Sequence, residues 1–220
     1  MSHRLNIFFD LDGTLTDPQE GITDSLQYAL LKLGRVCPDT SELVKYIGPP
    51  LRSTFEHLLK TKEKVRIEQA MELYRERFAS TGIFENRLYS GIPELLSSLQ
   101  TDSHALYVVS SKPHIFVEKI IIHFKLGDKF TRVFGPELDG RFDDKKDLLA
   151  FVMKETKADP DKSVMVGDRS EDIIAGKVNY SHTIGVTYGY GNQEEIKAAS
   201  PDFICRSPES ILDAVKSLSL

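Results

Sequence analysis

Cysteine is scarce in this chain: Cys37 and Cys205 are the only two among 220 residues. They lie far apart and form no metal-ligand pattern. With no export signal they read as reduced thiols of a cytoplasmic protein rather than a redox pair. Long apolar runs are also missing. Stretches such as Ile120-Ile121-Ile122 are far too short to cross a bilayer, so no membrane partner is expected. Near the N-terminus, Asp10 and Asp12 interrupt the apolar residues at once, which excludes a signal region there. Lysine and arginine form no basic stripe. The formal net charge of -5 and a pI near 5.7 argue against nucleic acid as a partner. No internal repeat or low-complexity segment is present. What remains is the composition of a soluble globular protein, 40% hydrophobic and 28% charged, long enough for one domain and a smaller second one.

One stretch stands out against this ordinary background. The apolar run Leu5 to Phe9 ends in Asp10-Leu11-Asp12-Gly13-Thr14-Leu15-Thr16-Asp17. Residues two apart on an extended chain point to the same side, so Asp10 and Asp12 share a face while Leu11 points away. A turn explains Gly13. It does not explain two like charges delivered to one spot by a buried strand, because they repel and their desolvation is costly without a cation. A hard divalent ion removes the conflict, and carboxylate oxygens point to magnesium. Such a pair could hydrolyse a phosphate ester, one Asp attacking phosphorus and the other protonating the leaving group and later activating water.

The rest of the chain changes rhythm twice. From Asp17 to about Ser80 apolar residues recur at helical spacing, as in Ile22, Leu26, Ala29, Leu30 and Leu33, with Gly34 as a stop. Further helices are expected at Asp39 to Tyr46, around Leu51 to Leu59, and from Ile67 to Phe78, with no strand among them. From Leu88 onward helix and strand alternate. Strands are expected at Ala105–Val109, Arg132–Phe134, Ser163–Val166, His182–Val186 and Phe203–Cys205. The alternation implies a doubly wound α/β parallel sheet of the Rossmann-like kind with an all-helical insertion after strand one. Ligands of open parallel sheets bind beyond the carboxyl ends of the strands. Asp10, Ser110 and Asp168 each follow directly on an apolar strand, so they are expected to converge on one edge.

Each piece also has a plainer explanation. Asp168 and Asp172, four apart, could share one face of a helix start and complete a metal shell, although acidic residues favour helix N-termini in any case. Ser110 and Ser111 offer hydroxyls and backbone N–H groups to a phosphate, although serine caps helices anyway. A lysine is needed beside a phosphate dianion, and spacing leaves Lys112, Lys145 and Lys146 open. Gly189-Tyr190-Gly191 reads first as a structural turn.

Taken together, these motifs resemble the haloacid dehalogenase-like superfamily, most closely its phosphoglycolate phosphatase-like branch with a small helical cap. The resemblance spans essentially the whole chain. It rests on the Asp10–Asp17 stretch, Ser110-Ser111-Lys112-Pro113, Asp144-Lys145 and Gly167-Asp168-Arg169-Ser170-Glu171-Asp172. It implies a core of residues 1–16 and 88–220 and a cap of residues 17–87. It also implies Asp10 as nucleophile, Asp12 as general acid and base, Ser110 and Ser111 at the phosphate, and Lys145 as the catalytic lysine. Magnesium would sit on Asp10, Asp12, Asp168 and Asp172, with the backbone carbonyl of Asp12 taking part. The expected substrate is a small phosphate ester. A 5'-nucleotidase, a pyrophosphatase and a sugar-phosphate mutase share the motifs. Dehalogenases lack an acid at the position of Asp12. The phosphonatase branch needs a cap lysine where this chain has Arg52, an arginine that could grip an anionic substrate group. A non-catalytic receiver-like module has no use for an insertion of this size.

Overall fold

The computed structural model describes residues 4–138 and 140–219. The chain divides into two compact units, Met1–Asp17 with Leu88–Leu220, and Pro18–Arg87.

The first unit is built on a six-stranded parallel sheet. Its strands are β1 (Asn6–Phe9), β4 (Ala105–Val109), β5 (Arg132–Phe134), β6 (Ser163–Gly167), β7 (His182–Val186) and β8 (Phe203–Cys205), in spatial order β5-β4-β1-β6-β7-β8. β4 and β6 are buried at every position, as the near-continuous apolar runs of a two-sided parallel sheet require. The helices are α5 (Ile92–Thr101), α6 (His114–His123), α7 (Lys145–Thr156), α8 (Ser170–Val178), α9 (Gln193–Ala199) and α10 (Pro208–Leu218). On one side of the sheet Phe8 stacks on Tyr107 at 5.1 Å and packs with Val109, Leu148, Leu149 and Val152. Each such side chain removed from water contributes about 2 kcal/mol.

Strand order explains where chemistry can occur. From β1 the chain enters its neighbour β4, moves outward to β5, then crosses back to β6 on the other flank of β1. β1 therefore lies at the reversal, where a crevice opens at the carboxyl ends. The register pairs Phe9 with Val108 on one side and Val166 on the other, so the residues after these three strands sit side by side. The Asp10 N–H extends the ladder by donating to the Val166 carbonyl at 2.9 Å.

The second unit is helical: α1 (Gln19–Lys32), α2 (Thr40–Leu43) running into a 3₁₀ turn at Val44–Tyr46, α3 (Leu51–Leu59) and α4 (Lys64–Arg77) with a π turn at Phe78–Gly82. Gly21 and Gly82 are small because their backbones touch; a Cβ on either would strike the other's carbonyl oxygen. Arg77 is held by Glu85 at 2.8 and 3.0 Å and by Asp24 at 3.3 Å, tying α1 and α4 to the returning chain. Two short strands, β2 (Thr16–Asp17) and β3 (Arg87–Leu88), pair as a separate two-stranded sheet. Neither strand was expected from the sequence, since two residues carry no periodicity.

His104 anchors the start of β1: its Nδ1 accepts from the Leu5 N–H at 3.1 Å. That bond needs a neutral ring. Burial holds the His104 pKa below the usual histidine value, with nearby Asp102 opposing. The unfolded chain therefore takes up this proton more readily, and stability falls as pH drops below about 6.5. In His104→Asn an amide oxygen can replace Nδ1 without titrating. Urea unfolding at about pH 7 and about pH 5.5 should show the wild type losing roughly 1 kcal/mol more than the variant. Equal losses would contradict this role.

Candidate active site

Asp10 and Asp12 leave β1 buried, at 4% and 7% exposure. Gly13 follows at φ +90°, and a Cβ there would run into the Asp168 carboxylate. The chain then folds tightly, with the Gly13 N–H donating to the Thr16 carbonyl at 2.7 Å and those of Leu15 and Thr16 to Leu11 at 2.9 and 3.0 Å. The glycine is thus both a turn and a clearance for the next acid.

Each of the two Asp side chains faces its own lysine. Lys145 is the first residue of α7, and its start is set by Asp144, whose side chain accepts from the Lys146 N–H at 2.8 Å. From there the Lys145 Nζ reaches Asp10 Oδ1 at 2.6 Å and also donates to Asp172 Oδ1. Lys146 turns outward and pairs with Asp144 at 3.1 Å. Lys112, after β4, places Nζ 2.8 Å from Asp12 Oδ2 and is itself buried. Of the three lysines left open by the sequence, two are therefore inside and one is outside. Neither pairing is visible in spacing, since they span 135 and 100 positions.

Asp168 follows β6, and Asp172 stands in the first turn of α8. The two are held differently. Asp172 Oδ2 accepts from the Arg169 N–H at 3.0 Å, closing the helix start, while Oδ1 takes Lys145. The capping role and the site role coexist in one side chain, and Gly167 leaves the room, since a Cβ there would meet the Asp172 carboxyl. Asp168 is met by neutral donors: the Thr14 hydroxyl at 3.3 Å, the Tyr190 N–H at 2.7 Å and the Gly191 N–H at 3.4 Å. The Gly189-Tyr190-Gly191 segment is therefore part of the site. The amides were missed because backbone donors carry no side-chain signature, and Thr14 because its hydroxyl meets an acid 154 positions away. The helix α9 that follows was missed too, for it buries only Ile196. Its Asn192 cap and Glu195 were the available signal. Glu195 pins the start of α8 through the Ser170 N–H at 2.9 Å and Arg169 at 3.1 Å.

The expected phosphate seat needs correction in one respect. Ser110 is buried beside the site, but its N–H donates to the Phe134 carbonyl at 3.1 Å, extending the sheet toward β5. The His114 N–H at the start of α6 goes to Pro136 at 3.0 Å. These amides are consumed by the fold. The Ser110 hydroxyl stays useful: it accepts from the Lys112 N–H at 3.2 Å, which leaves its proton to donate elsewhere. Ser111, next to it, is half-buried. Arg52 lies on α3 in the other unit and is paired with Glu68, so its charge is already engaged.

The electrostatics follow from crowding. Carboxylate oxygens of Asp10, Asp168 and Asp172 lie within 4.8 Å of one another, all buried. Burial, then the charges of Asp10 and Asp172, push Asp168 up to about 8. Burial also raises Asp172, with Lys145 pulling the other way. Burial alone would lower Lys145, but the two carboxylates outweigh it and hold it charged. Asp12 is raised by burial against the pull of Lys112, and its Oδ1 is buried with no hydrogen-bond partner. Three carboxylates around one ammonium leave excess negative charge in a buried space. A hard cation fits that donor set and relieves the mutual repulsion.

Comparison with known proteins bears on this geometry. The sequence model for haloacid dehalogenase-like hydrolases matches residues 7–186. The chain belongs to the haloacid dehalogenase-like hydrolase family. It is 41% identical to a 5'-nucleotidase of Pseudomonas aeruginosa over 212 residues, 96% of either chain. It is 31% identical to a phosphoglycolate phosphatase of Vibrio vulnificus over 221 residues, 95% of each. The crystal structure of a predicted phosphatase from Clostridium acetobutylicum superposes with a TM-score of 0.93 at 39% identity, covering 98% of this chain and all of that one. With these relatives, the chain is a phosphatase of the haloacid dehalogenase-like family. Its Rossmann-like sheet is as expected from the alternation of elements. No helix among the described residues is long and apolar enough to cross a membrane.

Proposed function

We propose that this haloacid dehalogenase-like phosphatase is a cytoplasmic, magnesium-dependent phosphomonoester hydrolase that works through an aspartyl-phosphate on Asp10. The observation that carries the reading is the contrast between the two acids of β1. Asp10 is paired with the Lys145 ammonium at 2.6 Å, whereas Asp12, two residues on, keeps a buried Oδ1 without a hydrogen-bond partner and a pKa raised by burial. One is prepared to attack and the other to carry a proton.

In the first step an Asp10 oxygen bonds to phosphorus as the bond to the leaving oxygen breaks, and Asp12 gives that oxygen its proton. In the second, Asp12 takes a proton from water. The hydroxide oxygen bonds to phosphorus, and the bond to Asp10 breaks to release phosphate. Lys145 orients Asp10 throughout, and the Ser110 hydroxyl, joined by that of Ser111, donates to the phosphoryl oxygens. Magnesium would be held by Asp10, Asp168 and Asp172 with the Asp12 carbonyl, and when bound it supplies positive charge against the phosphoryl oxygens. The helical unit 18–87 is assigned as the cap that selects the substrate and excludes water. Arg52 takes part in selection only by exchanging Glu68 for a substrate anion.

Between the two substrate classes suggested by relatives, greater identity to the 5'-nucleotidase favours a nucleoside 5'-monophosphate over phosphoglycolate. Phosphate release should be measured from nucleoside monophosphates, phosphoglycolate, sugar phosphates and pyrophosphate, with and without magnesium. Magnesium-dependent release with nucleoside monophosphates as best substrates is expected. Preference for phosphoglycolate or pyrophosphate would move the substrate assignment. Isomerisation of a sugar phosphate without net release would replace hydrolase by mutase.

A further inference from the structure

The loop after β7 does more than turn the chain. Its Tyr190 N–H holds Asp168 Oδ2 at 2.7 Å, and its Tyr190 hydroxyl donates to Asp17. Two residues earlier the Tyr188 hydroxyl donates to the Thr14 carbonyl at 2.9 Å, and Thr14 in turn reaches Asp168 Oδ1 at 3.3 Å. The loop thus clasps the Asp10–Asp17 segment at two points and grips Asp168 Oδ2 with its amides, while Thr14 holds Oδ1. Close packing tightens the clasp. A Cβ on Gly189 would strike the Gly13 carbonyl and the Asp168 side chain, and one on Gly191 would strike the Asp168 carbonyl. The Tyr188 ring meets that of Tyr89 edge-on at 5.0 Å.

The geometry points to Tyr190 as a positioning residue for the divalent cation: its phenol, fastened to Asp17, fixes the loop so that its own amide orients Asp168 as a metal ligand. This rests on the metal site of the proposed function. The physical reason is that, among the described residues, no lysine or arginine fork aims Asp168. Besides the Thr14 hydroxyl on Oδ1, its direction depends on backbone amides on Oδ2, and an amide is only as well placed as its loop. Half-buried Tyr190 is one of the two tyrosines whose hydroxyls secure the loop, and the one whose own amide meets Asp168. Partners that orient a ligand carboxylate typically affect metal affinity by 10–100-fold.

The test is magnesium binding to the substrate-free protein by isothermal calorimetry, beside a magnesium titration of activity. Tyr190→Phe removes only the hydroxyl and keeps the ring and the amide. It should weaken magnesium binding about tenfold, raise the magnesium concentration needed for half-activity by the same factor, and leave kcat at saturating magnesium within about twofold. Tyr28→Phe, which removes a surface hydroxyl bonded to Glu76 at 2.8 Å in the other unit, should change neither. Asp17→Ala removes the other end of the bond, and adding Tyr190→Phe to it should produce little further loss. A Tyr190→Phe protein that melts earlier but binds magnesium as the wild type does would overturn the inference, leaving a structural tyrosine. Wild type that binds no magnesium would instead overturn the metal site itself, and the inference with it.

Discussion

Asp10→Asn is expected to reduce phosphate release by at least about 10⁴-fold, roughly 5.5 kcal/mol of lost transition-state stabilisation, with the fold retained. The size of the effect follows from the absence of a substitute. Asp12 faces Lys112, and Asp168 and Asp172 are bound by amides and by Lys145. None of them can take over in-line attack without losing the contacts that place it. The amide is a poor nucleophile of nearly the same shape, and its oxygen can still meet Lys145, so the sheet edge keeps its packing. Circular dichroism and thermal melting should therefore match the wild type closely. Near-normal turnover by a folded Asp10→Asn protein would remove Asp10 from the chemistry.

The second large effect is expected at Lys145, and it should appear in stability as well as in rate. Lys145→Met leaves Asp10, Asp168 and Asp172 clustered within 4.8 Å with no ammonium among them. Removing one partner of a buried ion pair costs about 3–5 kcal/mol, because the remaining charge is left uncompensated. Activity should fall by about 10²–10³-fold. Magnesium should restore part of the lost stability, since a divalent ion supplies the missing charge. Lys146→Met is the comparison. Lys146 pairs with Asp144 on the outside, so its loss should alter rate and melting very little. Equal effects of the two substitutions in melting and turnover would contradict the assignment of Lys145.

The sequence made much of this architecture legible, for identifiable reasons. Five of the six strands of the main sheet are short, largely apolar runs that stop at a polar residue, and β5 stops at Gly135. In a sheet covered on both faces, that pattern is the fold's own signature. Asp10 and Asp168 stand out because a carboxylate at such a stop is expensive without a partner. The features that escaped are those not written in side-chain periodicity. The two-residue strands β2 and β3 pair across some seventy positions of inserted chain. The grip on Asp168 belongs to backbone amides of Tyr190 and Gly191. The choice between Lys145 and Lys146 depends on a single cap, Asp144, that rotates one lysine inward and the next outward. The Ser110 amide was misjudged because the carbonyl that takes it, Phe134, belongs to a strand more than twenty residues away.

The central claim is a covalent phosphoryl group on Asp10, and Asp12→Asn makes it observable. That variant cannot protonate an alcohol or activate water. An aryl phosphate such as p-nitrophenyl phosphate needs no proton to release its phenolate, so the first step proceeds while the second stalls. The reaction would be quenched in acid, treated with borohydride, digested and examined by mass spectrometry. A burst of nitrophenolate is expected and, in step with it, reduction of Asp10 to homoserine. A burst of nitrophenolate with Asp10 unmodified, or with another residue reduced in its place, would contradict the intermediate on Asp10.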